Sequence, residues 1–147
     1  MTTTKSQNID LQIIEESTKI VDFESAQLLN KFGFNYPNIF DVYLNSNKQH
    51  YVDIREIEIV NDSITLAPQL NLVRYWLLLK FGFNIEIEVT DYSNKNDAHY
   101  TVKSVNISND KFLFVMRNFN DYNIALQEGI TRTLKHMIEL ETELKQQ

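Results

Sequence analysis

Histidine and the carboxylates are the residues of this chain best suited to chemistry. There are three histidines, His50, His99 and His136, and no cysteine. His50 precedes Tyr51 and His99 precedes Tyr100, and both lie on segments that read as returning strands. Two imidazoles meeting across a pseudo-symmetry axis could hold a metal ion or share a proton. No carboxylate or third histidine is spaced to complete such a site, so both read as solvent-facing strand residues. His136 lies in the charged half of the last helix and reads as solvated.

Carboxylates gather as Glu15-Glu16, Glu56/Glu58, Glu86/Glu88 and Glu139/Glu141/Glu143. Glu86 and Glu88 project from one face of a strand, as two ligands of Mg²⁺ or a glycosidase pair would. The same spacing arises on any strand with a wet face, and no Lys, His or Asn motif completes a site. Three glycines leave no GxGxxG, Walker A or GxSxG sequence, so nucleotide loops and nucleophile elbows are excluded. No catalytic residue, cofactor-binding residue or metal ligand is therefore expected, and the chain reads as non-enzymatic. Tyr43, Tyr51, Tyr92 and Tyr100 flank turns and, with His50 and His99, form the expected interaction surface.

The elements that position these residues carry an internal echo. Lys31-Phe32-Gly33-Phe34-Asn35 recurs as Lys80-Phe81-Gly82-Phe83-Asn84, and the same displacement superposes His50-Tyr51 on His99-Tyr100. Without a gap, residues 28–59 match 77–108 at twelve positions. Upstream of each pentapeptide the apolar spacing is helical: Phe23, Ala26, Leu28, Leu29 and Phe32, then Leu70, Val73, Trp76, Leu77 and Phe81. Asp22 is placed to cap the first helix, and Pro68 to occupy the first turn of the second. Gly33 and Gly82 each follow the last helical residue and precede a Phe, which predicts left-handed Schellman caps at both. The apolar surround of Val73, Trp76, Leu77 and Leu79 predicts a helix sandwiched on more than one side.

Phe83, Ile85, Ile87 and Val89 then alternate with polar residues as a half-buried strand. A turn is expected at Ser93–Asp97, a strand through Tyr100, Val102 and Val105, and a third over Phe112–Val115. Asn120 or Asp121 caps a long final helix whose apolar face is Ala125, Leu126, Ile130, Leu134, Met137 and Ile138. Gly129 lies inside that helix, which implies close packing against the sheet. The first copy is looser: Tyr36-Pro37-Asn38 interrupts a strand that resumes near Phe40, Val42 and Leu44, and Tyr51 to Val60 comes next. Residues 9–14 are ambiguous between strand and helical turn. A helix with a hairpin has an apolar face and nothing to bury it against, so two such units would pack face to face.

The expected fold is thus α+β: internally duplicated helix–β-hairpin units in one compact domain, with antiparallel sheet and a long C-terminal helix. Residues 1–8, which lack periodicity, are expected to form a mobile tail. Residues 9–147 make the domain, with halves at about 22–60 and 68–108 and then strand and helix over 112–145.

Fourteen basic against twenty acidic residues give a net charge of −6, which argues against nucleic acid and anionic membrane as partners. The order helix-strand-strand-strand-helix coincides with the double-stranded-RNA-binding fold. The entrance to the last helix, Asn118-Phe119-Asn120-Asp121 after a lone Arg117, lacks the basic character that such binding needs. No signal-peptide core or membrane-length apolar run is present, so an intracellular location is expected.

Ala67-Pro68-Gln69-Leu70-Asn71-Leu72-Val73-Arg74-Tyr75-Trp76-Leu77, running into Asn84-Ile85-Glu86-Ile87, resembles a hallmark of small phage and prophage proteins of Bacteroidetes. Tyr122-Asn123-Ile124-Ala125-Leu126-Gln127-Glu128-Gly129 is similar to their last helix, and Phe23–Leu29 with Gly33-Phe34 to their first. In that pattern Arg usually runs directly into Trp, whereas Tyr75 separates them here. The resemblance spans roughly residues 20–140 and implies a phage origin without an assigned activity. On that basis a non-enzymatic accessory protein is expected, binding a host or phage protein in the cytoplasm of the infected cell. The alternative is a virion component: a head-to-tail connector, capsid auxiliary or packaged cargo protein. Self-association is open in either case.

Overall fold

A computed structural model describes residues 2–36, 41–51, 64–91 and 99–146. The chain is α+β, and the described residues form four α-helices, one π-helical turn and two three-stranded antiparallel sheets. Helix α1 spans Thr2–Ser17 and α2 spans Phe23–Lys31. Strands β1 (Val42–Leu44), β2 (His50–Tyr51) and β3 (Ile64–Leu66) form the first sheet in the order β2-β1-β3. Helix α3 (Leu70–Trp76) runs into the π-helical turn Leu77–Phe81. Strands β4 (Phe83–Asp91), β5 (His99–Asn106) and β6 (Lys111–Phe119) form the second sheet in chain order. Helix α4, Tyr122–Gln146, closes the chain. The expected strand over 52–60, with Glu56 and Glu58, lies outside the described residues, as do Tyr92 and the turn at 93–97.

Local chemistry sets these boundaries. The Asp22 carboxylate accepts from Ser25 N at 2.8 Å, satisfying a free donor of the first turn of α2. At the other end Gly33 takes φ +90°. Its N–H reaches Asn30 O, and Phe34 N–H reaches Leu29 O at 2.9 Å, which is the pair of bonds expected of a Schellman cap. Phe34 folds back into the core, fully buried. Asp121 caps α4, its carboxylate accepting from Ile124 N at 3.0 Å.

Gly82 also takes a left-handed φ, +76°, but the cap there is of another kind. Its N–H bonds to Leu78 O and Leu77 O, widening the turn to π geometry, and Phe83 enters β4 at once. The Gly82 carbonyl accepts from Ile107 N at 2.9 Å, so the sheet, not the helix, receives this end. Pro68 stands ahead of α3 instead of in its first turn. Its carbonyl accepts from Val21 N, and Leu70 N donates to Lys19 O, pinning the entrances of α2 and α3 together. Residues 2–8, expected as a mobile tail, belong to α1, and so do residues 9–14.

The duplication is not confirmed, for a reason of register. In the first sheet Tyr43 faces His50 and Val42 faces Tyr51. Displaced by 49 positions, those pairs would be Tyr92 with His99 and Asp91 with Tyr100. Instead His99 faces Asp91 and Tyr100 faces Val89, with a bulge at Thr90 between them. A slip in register re-aims side chains, so the two hairpins do not superpose. The echoed helices still meet: the rings of Phe32 and Phe81, equivalent positions, lie edge to face at 6.2 Å.

Helix α4 is the spine. Its Ala125, Leu126, Ile130, Leu134 and Met137 are buried against α2, α3 and the core face of β4-β5-β6, from which Ile85 and Val102 rise. Gly129 allows the approach: a Cβ there would sit 2.7 Å from Val102 Cγ2 and 3.0 Å from Ile85 Cγ2. Hydroxyls fix the register. Thr133 Oγ1 donates to Gly129 O, so Ser104 Oγ, 3.0 Å away, donates to Thr133. Thr131 Oγ1 likewise donates to Gln127 O and receives Ser25 Oγ at 2.9 Å. Gln127 completes this cluster, its amide donating to Ser25 and Thr131 and its Oε1 accepting from Asp22 N. Each buried polar atom of the cluster is paired, which avoids a penalty of about 1–3 kcal/mol apiece.

Candidate interaction surface

Helix α3 is apolar on two sides, and only one of them is covered. Its inner side carries Leu70, Val73, Trp76 and Leu77, all buried. Trp76 sits between Phe34 and Phe81, edge to face at 5.2 and 5.0 Å, and Tyr36 extends the row from Phe34 at 4.9 Å. Such contacts add about 0.5–1.5 kcal/mol each beyond burial and hold the helix face inward. The outer side, continued into the π-helical turn, carries Leu72, Tyr75 and Leu79, which are 43%, 66% and 79% exposed. Spacings of three and four residues put them on one stripe. The expectation of a helix sandwiched on both sides is therefore corrected at Leu79, which faces solvent. Beside the stripe a cavity of about 290 Å³ is lined by Asn71, Arg74, Tyr75, Leu78 and Asn84. Arg74 Nη1 donates to the Tyr122 hydroxyl at 3.2 Å, tying this edge of α3 to the start of α4.

Helix α1 is apolar and uncovered in a different way. Ile9, Leu11, Ile13 and Ile14 are all exposed. Ile9 and Ile13 fall on one side and Leu11 and Ile14 on another, so no single stripe results. The helix is fastened near its C-terminus, where Asn123 Nδ2 donates to both Glu16 O and Glu16 Oε2 at 2.8 Å.

The described residues among those singled out from sequence differ in exposure. Tyr43 belongs to the core: its hydroxyl donates to Val21 O at 2.6 Å and its ring meets Phe23 edge to face at 5.5 Å. Burial, with the Asp22 carboxylate adding to it, pushes its phenol above the ordinary value. Its expected exposure failed because the sequence does not reveal a carbonyl 22 residues away that can take the hydroxyl proton. His50 is exposed, its ring 5.8 Å from that of Tyr43 and Nε2 3.4 Å from Asp41 Oδ2. Tyr51 is exposed beside it and donates to Gln49 Oε1 at 3.1 Å. Tyr100 is half-buried, edge to face with Tyr122.

His99 is half-buried and its Nδ1 has no hydrogen-bond partner among the described residues. His50 and His99 stand in separate sheets. His136 is not simply solvated: it is half-buried, and its ring meets Phe83 edge to face at 6.2 Å. The Glu86 carboxylate accepts from Asn84 Nδ2, and Glu88 is paired with Lys103 at 2.6 Å, as on a wet strand face. Among the described residues no group of three His, Asp or Glu converges as metal ligands would, and no helix is long and apolar enough to cross a membrane.

The Leu72-Tyr75-Leu79 stripe was missed from sequence although its spacing is plain, because spacing alone cannot say which of two apolar sides is covered. The fold and this surface define an α+β chain with an uncovered apolar helix face. Set against protein-family models, curated proteins and solved structures, the chain finds no match in any of the three.

Proposed function

We propose that this chain acts by binding another protein, without chemistry of its own, and that the outer side of α3 is its docking face. One observation carries the reading: Leu72, Tyr75 and Leu79 form a stripe exposed on a helix whose opposite side is firmly anchored in the core. Apolar area of this kind is worth about 25 cal/mol per Å² when a partner covers it, and a rigid helix forfeits little entropy on docking. Arg74 and Tyr75, at the rim of the adjoining cavity, are of the residue types that dominate binding energy at interfaces. The resemblance to small phage and prophage proteins of Bacteroidetes makes the partner a host or phage protein met in the infected cell. The second reading, a virion component, rests on the same face and the same resemblance.

Affinity capture from infected cells tests the reading when wild-type chain is compared with a Leu72→Ser/Leu79→Ser variant of unchanged circular dichroism. A protein retained by the wild type and lost with the variant is expected. Equal capture by both, or by neither, overturns the docking face. Mass spectrometry of purified particles separates the two readings, since abundant peptides of this chain in virions favour the structural component.

A further inference from the structure

Two β-bulges lie at one end of the β4-β5-β6 sheet, beside a cavity on its outer face, opposite α4. On β4 the extra residue is Thr90, between the pairs Val89–Tyr100 and Asp91–His99. On β6 Arg117 and Asn118 stand against the single residue Thr101, and Asn118 takes φ +70°. Bulges bend a strand and re-aim its side chains. The open cavity, of about 510 Å³, lies beside them, lined by Glu88 and Lys103, by Arg117 and Asn118, and by Thr90, His99 and Thr101 between.

Donor and charge counts define what this cavity would take. The Thr101 hydroxyl donates to Thr90 Oγ1, and Thr90 Oγ1 donates to His99 O, so both hydroxyl protons are already used. Glu88 is neutralised by Lys103, whose ammonium keeps two further protons. Arg117 differs from the other described arginines. Arg132 is paired with Glu128 and Arg74 with the Tyr122 hydroxyl, whereas Arg117 has no ion pair or hydrogen bond among the described residues. Among the described residues the unused donors of the cavity are thus the Arg117 guanidinium, two protons of Lys103 and the Asn118 amide N–H, and His99, which also lines it, has Nδ1 unpartnered. In a chain of net charge −6, this is a local excess of positive charge.

We propose that the cavity binds a phosphoryl group, with Arg117 taking two of its oxygens and Lys103 and Asn118 the others. Donors arriving from two strands suit a tetrahedral acceptor, and a guanidinium fork matches a pair of phosphate oxygens. The volume exceeds that of phosphate alone and leaves room for the organic part of a monoester beside Val115. This site is independent of the α3 docking face.

Titration of the full chain with inorganic phosphate, adenosine 5′-monophosphate and adenosine at constant ionic strength, followed by nuclear magnetic resonance, tests it. Both phosphates are expected to shift the Arg117 side-chain and Thr101 amide signals at millimolar concentration, and adenosine to leave them in place. Monoester binding about tenfold tighter than inorganic phosphate would assign the cavity to an ester, and equal binding to the free ion. Arg117→Gln, at an exposed position with no hydrogen bond or ion pair among the described residues, is expected to weaken binding about tenfold or more, with Arg132→Gln unchanged. Shifts spread over every Lys and Arg, no shift at all, or an Arg117→Gln chain that binds like wild type would overturn the site.

Discussion

The pentapeptide Lys-Phe-Gly-Phe-Asn closes two helices, and it closes them differently. At Gly33 the chain turns back: Phe34 bonds to the last turn of α2 and buries its ring beside Trp76. At Gly82 the chain goes forward: the helix opens into a π turn, and Gly82 O and Phe83 join β5. Five identical residues supply the same left-handed glycine in both places. The path beyond the glycine is decided by the neighbour that offers hydrogen bonds, which is the helix's own last turn in one case and a strand edge in the other. A local motif sets the bend, and tertiary pairing decides where the bend leads.

The largest effect should separate the phenylalanines. Phe34→Ala empties a fully buried position and is expected to cost about 3–5 kcal/mol, while Phe81→Ala, at a ring 38% exposed, should cost under about 2 kcal/mol. Urea denaturation of the two variants measures the gap, and equal losses would show that the partly exposed Phe81 ring holds the helix ends as firmly as the buried Phe34. Next comes Gly129→Ala, which tests whether α4 fixes the second sheet. Its Cβ would collide with Val102 and Ile85, and a loss of about 1–3 kcal/mol is expected despite the higher helix propensity of Ala. A stabilised variant would mean that α4 has room to move.

The two caps themselves come third. Gly33→Ala meets open space and should cost about 1 kcal/mol, the left-handed penalty alone. Gly82→Ala adds a contact at 3.3 Å with Ile107 Cγ1 and should cost a few tenths of a kcal/mol more. Reversal of that order in thermal melts would place the tighter cap at Gly33. The smallest effect concerns Tyr43, which the first sheet buries. Its phenol is raised in the folded state, so folding favours the neutral form. The stabilisation is complete below the ordinary value of about 10 and falls away as pH climbs past it through the folded value. Wild type should therefore lose more melting temperature than Tyr43→Phe between pH 9 and 11, values spanning the ordinary phenol range of about 10. Parallel losses would mean that the buried phenol does not titrate there.

Legibility tracked the length of the pattern. Strands β4 to β6 and helix α4 were readable because each sustains its period over several residues, and Asp22, Asp121, Gly33 and Gly82 punctuate the chain by their own side-chain or backbone chemistry. Strand β3 is only Ile-Thr-Leu, too short for alternation to register. Helix α1 mixes spacings, Ile9 to Leu11 by two and Ile9 to Ile13 by four, so neither period prevails. The interaction surface was least legible. Tyr43 sits in the core because of a partner remote in sequence, and the exposure of Leu79 depends on what the fold leaves uncovered.

The hydroxyl cluster beneath α4 has a consequence for descent. Ser25 and Thr131, like Ser104 and Thr133, each have a single proton to give, and every proton is committed. Loss of either threonine strands the serine proton that it accepts, whereas a simultaneous exchange of Ser104 and Thr133 for apolar residues of like volume is nearly neutral. The same exchange of Ser25 and Thr131 would strand the Gln127 amide that donates to both. Lineages descending from this sequence should therefore keep Ser104 and Thr133 intact or exchange them whole, leaving a record of paired inheritance between positions 29 residues apart, and should change Ser25 and Thr131 only together with Gln127.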